Sequence, residues 1–94
     1  MVSLGETSPD EPSPPPRPHR QVDARNLLCP MPILRAEAAI AEMAPGEILA
    51  LLATDPGLER DLPAWCRVNH HTLITIRRQG RELTGWVRKE KIGP

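Results

Sequence analysis

The sequence is poor in aromatic residues and has no excess of charge. It contains no phenylalanine or tyrosine, and Trp65 and Trp86 are its two tryptophans. The 12 lysine and arginine residues balance the 12 aspartate and glutamate residues. Proteins that bind nucleic acid need a positive field, and those that bind single strands also stack bases on aromatic side chains. We therefore do not expect direct nucleic-acid binding.

Several other features are absent. No apolar run reaches the length of about 18 residues that indicates a membrane-spanning helix. The first residues lack the basic and apolar regions of a secretory signal. The two cysteines, Cys29 and Cys66, form neither a CxxC pair nor a zinc-binding pattern. We expect a cytoplasmic, monomeric chain with reduced thiols and with no metal or cofactor.

Proline is abundant, and it is concentrated near the N-terminus. Six of the 12 prolines lie between positions 9 and 18, in a stretch with almost no apolar residues. Such a segment cannot bury enough surface to offset the entropy of ordering it. We predict a disordered tail over residues 1–19, one domain over residues 20–91 and a short C-terminal tail over residues 92–94. The alternative for residues 12–18 is a polyproline II segment that docks on an aromatic groove.

The spacing of apolar residues predicts the element order βαβαββ. Strands are predicted at residues 21–25, 48–53, 73–77 and 83–88, and helices at residues 30–43 and 61–69. Asp61 is expected to cap the second helix, with Pro63 in its first turn. A helix that joins two apolar strands makes a right-handed, parallel βαβ unit. The predicted fold is an α/β two-layer sandwich, with a mixed four-stranded sheet and both helices on one face.

The main candidate for chemistry is Cys29, which precedes Pro30, Met31 and Pro32 at the predicted start of the first helix. Proline is favoured in the first helical turn because its φ angle suits it and the N–H it lacks would be unpaired there. We predict that Cys29 is the N-cap residue, where the helix dipole and the Met31 amide stabilise a thiolate. The leucines at positions 27 and 28 are expected to be buried beside the sulfur, which opposes ionisation. Asn26 suits a left-handed bend before them.

Four further residues are weaker candidates. Cys66 is expected to be buried in the second helix, and it is a secondary sulfur acceptor only if it is exposed. His71 follows His70, and adjacent histidines point apart, so a polar anchor is favoured over a metal ligand. Asp23 and Asp61 are interpreted as acceptors for backbone amides rather than as acid–base catalysts.

The predicted hairpin is locally basic. One interpretation is a solvated sheet edge that charge protects from pairing with another chain. The alternative is a surface that contacts a partner protein or tRNA. The basic residues are Arg77, Arg78, Arg81, Arg88, Lys89 and Lys91.

No general base can be paired with Cys29 from the sequence, and no glycine-rich phosphate loop is present. Attack of a thiolate on a sulfane sulfur is thiol–disulfide-type chemistry, which needs no base once the thiol is ionised. This absence favours sulfur transfer. The alternative is a non-catalytic interaction module with a structural cysteine. A pKa of Cys29 at or above the free value of about 8.5, with slow alkylation, would favour that alternative.

The segment Asp23–Leu34 resembles the signature of the TusA/SirA-like family of sulfur carrier proteins. The resemblance covers residues 22–89. Beyond the first segment, the matching positions are residues 45–47, 54–56 and 61–66 and His71. It implies a sandwich similar to the C-terminal domain of bacterial translation initiation factor three. It also implies a sulfurtransferase-type carrier, in which Cys29 takes sulfane sulfur as a persulfide from a cysteine desulfurase or rhodanese-like donor and passes it to an acceptor protein.

The chain departs from the family pattern at three positions. Asn26 and His70 stand where glycine is usual, and Met31 stands where the carrier of tRNA thiolation has an acid. The resemblance therefore leaves the pathway open among tRNA thiolation, sulfur oxidation and cofactor sulfuration. Cys29 is the implied catalytic residue, and Pro30, Pro32 and Asp23 support it together with Met31.

Overall fold

The computed structural model describes residues 14–91. Its strands form one four-stranded sheet in the order β1-β2-β4-β3. β1 is parallel to β2, whereas β4 is antiparallel to both β2 and β3. The predicted βαβαββ order and mixed sheet are confirmed. The elements are β1 (Arg20–Ala24), α1 (Met31–Ala41), β2 (Ile48–Ala53), α2 (Leu58–Val68), β3 (Thr72–Gln79) and β4 (Glu82–Arg88).

The core lies between one face of the sheet and the two helices. Alternate residues of β2 and β4 are buried there, because successive side chains of a strand point to opposite faces. Burial of each large apolar side chain contributes about 1.5–3 kcal/mol. The largest fully buried side chains are Leu49, Leu51, Leu58, Leu62, Leu83, Val87 and Pro32. Neither helix within residues 14–91 has the length and hydrophobicity that crossing a membrane would require.

One glycine allows α2 to lie close to the sheet. Gly85 is buried in the middle of β4, opposite Leu51 of β2 and Ile76 of β3. A Cβ atom at Gly85 would lie 2.4 Å from Cδ2 of Leu62, well inside van der Waals contact. The missing side chain therefore fixes how closely α2 approaches the sheet, and with it the position of the loop that precedes α2.

α2 begins earlier than predicted. Its first residue is Leu58 and its N-cap is Gly57, so the prediction that Asp61 caps the helix is wrong. The Asp55 carboxylate accepts the Gly57 N–H at 2.9 Å, and the Asp55 carbonyl accepts the Leu58 N–H at 3.1 Å. This local turn starts the helix before Asp61 is reached. Pro63 then lies inside the helix, where its missing N–H removes one internal hydrogen bond.

The other boundaries differ by a few residues. α1 ends at Ala41, and the amides of Glu42 and Met43 continue it with hydrogen bonds to carbonyls three residues back. β1 begins and ends one residue earlier than predicted. β3 is longer than predicted, and an irregularity between Leu73 and Thr75 shifts its register. Of the predicted tails, residues 1–13 and 92–94 lie outside the described residues.

Much of the basic hairpin already has partners in the fold. The Lys89 ammonium donates hydrogen bonds to the carbonyls of Ile40 and Met43 at 2.7 and 2.6 Å, at the C-terminal end of α1. Arg78 forms an ion pair with a glutamate of α2, and Arg88 forms one with a glutamate two residues on. β3 is an edge strand of the sheet. These contacts favour the interpretation as a charge-protected edge over a nucleic-acid surface.

Candidate functional site

Cys29 lies one residue further from α1 than predicted. The N-cap of α1 is Pro30, and the helix begins at Met31 with Pro32 as its second residue. The Cys29–Pro30 peptide bond is cis. The Met31 amide donates to the Leu28 carbonyl at 2.9 Å and is not free to point at the sulfur. The predictions that Cys29 caps α1 and that the Met31 amide stabilises its thiolate are therefore wrong, because a tight turn over residues 28–31 delays the helix.

Asp55 joins the cysteine to the start of the other helix. Its Oδ2 atom accepts the Cys29 N–H at 2.7 Å, while Oδ1 accepts the Gly57 N–H at 2.9 Å. These two amides hold the pKa of the Asp55 carboxyl below its usual value. A Cβ atom at Gly57 would lie 3.6 Å from Cys29 Sγ. The sulfur thus lies against the first turn of α2, not at the N-terminus of α1.

The turn that carries Cys29 is also held at its beginning. Asn26 has a φ angle of 66°, so the predicted left-handed bend is confirmed. Its N–H donates to the hydroxyl of Thr54 at 2.9 Å. Thr54 and Asp55 follow β2, whereas Asn26 and Cys29 follow β1. Because β1 and β2 are parallel neighbours, the two loops follow the carboxyl ends of adjacent strands and lie side by side.

The environment of the sulfur favours the thiol over the thiolate. Partial burial, together with the carboxylates of Asp61 and Asp55, raises the pKa of Cys29 to about 11. The Asp61 carboxylate lies close enough to the thiol to stabilise its protonated form. The prediction that a helix terminus lowers this pKa is wrong. Desolvation comes first among the causes, and the negative charge of the two carboxylates beside the sulfur acts in the same direction.

Three apolar side chains are exposed around the cysteine. Leu28 is 77% exposed, so the prediction that it is buried beside the sulfur is wrong. Leu27 is partly buried and packs against the core, as expected. Met31 and Leu34, on the first turn of α1, are 41% and 49% exposed. Apolar side chains left in water beside a thiol are typical of a surface that contacts another protein.

The structure separates two of the weaker candidates from Cys29. Asp23 forms an ion pair with Arg25 at 2.8 Å and accepts the Arg25 amide at 3.1 Å. The Arg25 guanidinium lowers the pKa of Asp23 to about 2. Cys66 is 2% exposed within the core, and burial raises its pKa to about 11. Because a secondary sulfur acceptor would have to be exposed, Cys66 does not qualify as one.

His71 makes the contacts of a polar anchor. Its Nδ1 atom accepts the Glu90 N–H at 3.2 Å, and its ring centroid lies 5.4 Å from that of Trp65. Burial, followed by the positive charge of Lys89, lowers the pKa of His71. His70 has a φ angle of 62°, in the left-handed region that favours glycine. Within residues 14–91, no group of three acidic, histidine or cysteine residues is placed to hold a metal ion.

Sequence analysis missed Asp55 and Gly57 as parts of the thiol site. An aspartate followed by proline and glycine at the end of a strand indicates a turn in which the carboxylate binds a nearby amide. That signal predicts the bond to Gly57. The bond from Cys29 depends on the pairing of β1 with β2, and no local pattern contains it. Asp61 acts on the thiol because the first turn of α2 lies beside the cysteine turn.

Comparisons with known proteins agree with this architecture. Residues 20–89 match the family model described as sulfurtransferase TusA. The sulfur carrier protein TusA of Pseudomonas fluorescens (strain SBW25) is 34% identical over 71 residues, which cover 76% of this chain and 86% of that protein. The YrkI protein of Bacillus subtilis (strain 168) is 41% identical over 68 residues, 72% of this chain and 91% of its own.

The fold also matches a solved structure. The crystal structure of a SirA-like protein from Desulfitobacterium hafniense has a TM-score of 0.67 and 18% identity, and the match covers 77% of this chain and 99% of that one. The fold and site together define a small α/β sandwich with a single accessible thiol among residues 14–91. The chain belongs to the TusA/SirA-like family, as its sequence predicted.

Proposed function

We propose that this chain is a sulfur carrier in which Cys29 holds sulfane sulfur as a persulfide. Relatives named sulfur carrier protein TusA match it over most of their length. The observation that carries the proposal is the placement of Cys29, a free and half-buried cysteine on a fixed turn with exposed apolar side chains beside it. A partner's sulfur can reach this thiol, whereas Cys66 is enclosed in the core.

The transfer balances without an external oxidant or reductant. The Cys29 thiolate attacks the outer sulfur of a donor persulfide, R–S–SH. A sulfur–sulfur bond to Cys29 forms, the donor's sulfur–sulfur bond breaks, and the donor leaves as the thiolate R–S⁻. An acceptor thiolate then removes the outer sulfur from Cys29 by the same kind of step. The thiol proton passes to solvent before the attack, because the thiolate is the nucleophilic form.

The residues around the cysteine have supporting roles in this proposal. Pro30 and Pro32 shape the start of α1, and Met31 between them adds apolar contact area. Asp55 holds the Cys29 amide. The pair of Asp23 and Arg25 stabilises the start of the turn.

The proposed carrier acts between two other proteins. A cysteine desulfurase or rhodanese-like protein would supply the sulfur, and an acceptor protein in tRNA thiolation, sulfur oxidation or cofactor sulfuration would receive it. The chain would work as a monomer in the cytoplasm and without a bound cofactor. The exposed side chains of Leu28, Met31 and Leu34 offer both partners the same apolar contact area around the thiol.

Intact-mass measurement tests the proposal directly. The chain is incubated with a cysteine desulfurase and L-cysteine, and we expect a gain equal to one sulfur atom that dithiothreitol reverses. Cys29→Ser should abolish the gain, because the attacking sulfur is missing. Cys66→Ser is the matched control and should load like the unchanged chain. Loading that persists in Cys29→Ser, or that is lost only in Cys66→Ser, would contradict the proposal.

The raised pKa of Cys29 favours a second candidate function, a non-catalytic interaction module with a structural cysteine. Such a module would bind its partner equally well with serine at position 29. Affinity for a captured donor or acceptor protein, measured for the chain and for Cys29→Ser, separates the two functions. Equal affinity together with absent loading would support the module, whereas sulfur loading at Cys29 would exclude it.

A further inference from the structure

Two carboxylates flank the Cys29 sulfur, from different parts of the fold. Asp55 comes from the turn after β2 and binds the Cys29 amide at 2.7 Å. Asp61 comes from the first turn of α2, and its carboxylate lies close enough to the thiol to disfavour ionisation. A Cβ atom at Gly57 would lie 3.6 Å from the sulfur and 3.3 Å from Asp55 Oδ1, so the sulfur and this carboxylate meet at the same point of the α2 N-terminus. The whole chain has zero net charge, so this negative environment is local to the thiol.

Two arginines lie near these carboxylates but not at the sulfur. Arg60 forms an ion pair with Asp61 at 3.2 Å, and its side chain is 85% exposed, so that water screens it strongly. Arg81 lines a crevice together with Asp55 and Leu28, and it is also exposed. The interactions that shift the pKa of the thiol come from burial, Asp61 and Asp55, and none comes from a cation.

We propose that Asp55 and Asp61 determine the charge specificity of sulfur transfer at Cys29. They disfavour small anionic sulfur donors and favour a sulfane sulfur presented beside a positively charged side chain, as on a basic loop of a partner protein. This inference rests on the proposed function and adds to it the chemical class of the substrate. Thiosulfate and free persulfide anions belong to the disfavoured class.

Electrostatics gives an incoming cation two effects. It is attracted to the carboxylates, which raises its local concentration at the thiol. It also offsets their charge, which lowers the pKa of Cys29 and increases the thiolate population at the moment of contact. An incoming anion is repelled and leaves the thiol protonated. The carrier would therefore react with its docked partner and stay inert toward anionic small molecules in solution.

The test uses two reagents with the same reactive group and head groups of opposite charge. The trimethylammonioethyl and sulfonatoethyl methanethiosulfonates carry the same reactive sulfur. In both reactions the Cys29 thiolate attacks the sulfenyl sulfur, a mixed disulfide forms, the S–SO₂ bond breaks and methanesulfinate leaves, while the thiol proton passes to buffer. The rates are measured by intact mass at low salt. The ratio of the cationic to the anionic rate is divided by the same ratio for 2-mercaptoethanol.

We expect a corrected ratio on the order of tenfold for the unchanged chain, from two charges several ångströms away near a protein surface. Asp61→Asn should lower the ratio about threefold without disturbing a backbone contact. Asp55→Asn should lower it by a similar factor. Glu59→Gln is the matched control. It removes the same charge from the same turn of α2, but Glu59 pairs with Arg78 of β3 and takes no part in the pKa shift of the thiol. The ratio should therefore stay within about twofold.

Two results would overturn the inference: a corrected ratio near one in the unchanged chain, or an equal loss in Glu59→Gln and Asp61→Asn. A variant that unfolds would reveal itself by a second adduct at Cys66, which is buried in the fold. The methanethiosulfonates react with the Cys29 thiol itself, so the labelling does not require a persulfide. Failure of sulfur loading therefore leaves this test intact, and loading without charge preference would contradict the inference alone.

Discussion

At the scale of single residues, the reactivity of Cys29 follows from its immediate neighbours. A half-buried sulfur with Asp55 and Asp61 beside it is harder to ionise than a thiol in water. Cys66 has an equally raised pKa for a different reason, since burial in the core alone accounts for it. The two cysteines therefore share an inert resting state, but Cys29 alone can be reached by another molecule.

The pH dependence of alkylation tests this account of Cys29. We expect the rate with iodoacetamide to keep rising above pH 8.5, towards an inflection near the pKa of about 11. At pH 7 the thiol should react more slowly than a small free thiol. Time courses of intact mass at several pH values give the rates. An inflection below pH 8 would contradict the assigned electrostatics, and Cys29→Ser should show no labelling while folded.

At the scale of secondary-structure elements, the site depends on how α2 sits on the sheet. Gly85 allows Leu62 to approach β4 so closely that no side chain fits between them. α2 carries Asp61, and the loop before it carries Asp55 and Gly57. A displacement of α2 would therefore move both carboxylates relative to the sulfur.

A substitution at Gly85 tests this packing. Gly85→Ala places a methyl group 2.4 Å from Leu62 and should lower the free energy of unfolding by about 1–3 kcal/mol. Urea denaturation measures the loss. Gly80→Asn is the control, because the hairpin turn has open space and asparagine tolerates its φ angle of 63°. Equal stability of Gly85→Ala and the unchanged chain would show that Leu62 of α2 has room to move away from β4.

At the scale of the whole molecule, His71 links the end of α2 to the chain that follows β4. Its Nδ1 atom accepts the Glu90 amide, and its ring lies beside Trp65. Protonation would remove that acceptor, and burial lowers the pKa of His71 in the fold. The unfolded chain therefore takes up the proton at a higher pH than the folded chain does.

Stability should consequently depend on pH below neutrality. The contribution of His71 is complete above its unfolded pKa of about 6.5, and it is lost as pH falls from there through the lower folded value. We expect the urea midpoint at pH 5.5 to be lower than at pH 7. In His71→Asn, which keeps an acceptor but does not titrate, this difference should shrink. An unchanged difference would assign it to another group.

The sequence alone determined the order of elements and the place of the thiol. The apolar stripe of α1, the apolar run of β2 and the prolines after Cys29 are local signals, since each reflects the conformation of a few consecutive residues. The resemblance around Cys29 also identified the family. Where a local signal competed with another, prediction was wrong: Pro63 suggested a late start for α2, whereas the turn at Asp55 starts it early.

The tertiary structure decided what surrounds the sulfur. Asp55 is 26 residues from Cys29 in sequence, and its hydrogen bond to the Cys29 amide exists because β1 and β2 pair in parallel and bring their loops together. The same packing leaves Leu28 in water and places Asp61 at the thiol. Electrostatic interactions depend on distance in space rather than on distance along the chain. The sequence therefore predicted the position of the reactive cysteine, whereas the fold determined the pKa of its thiol.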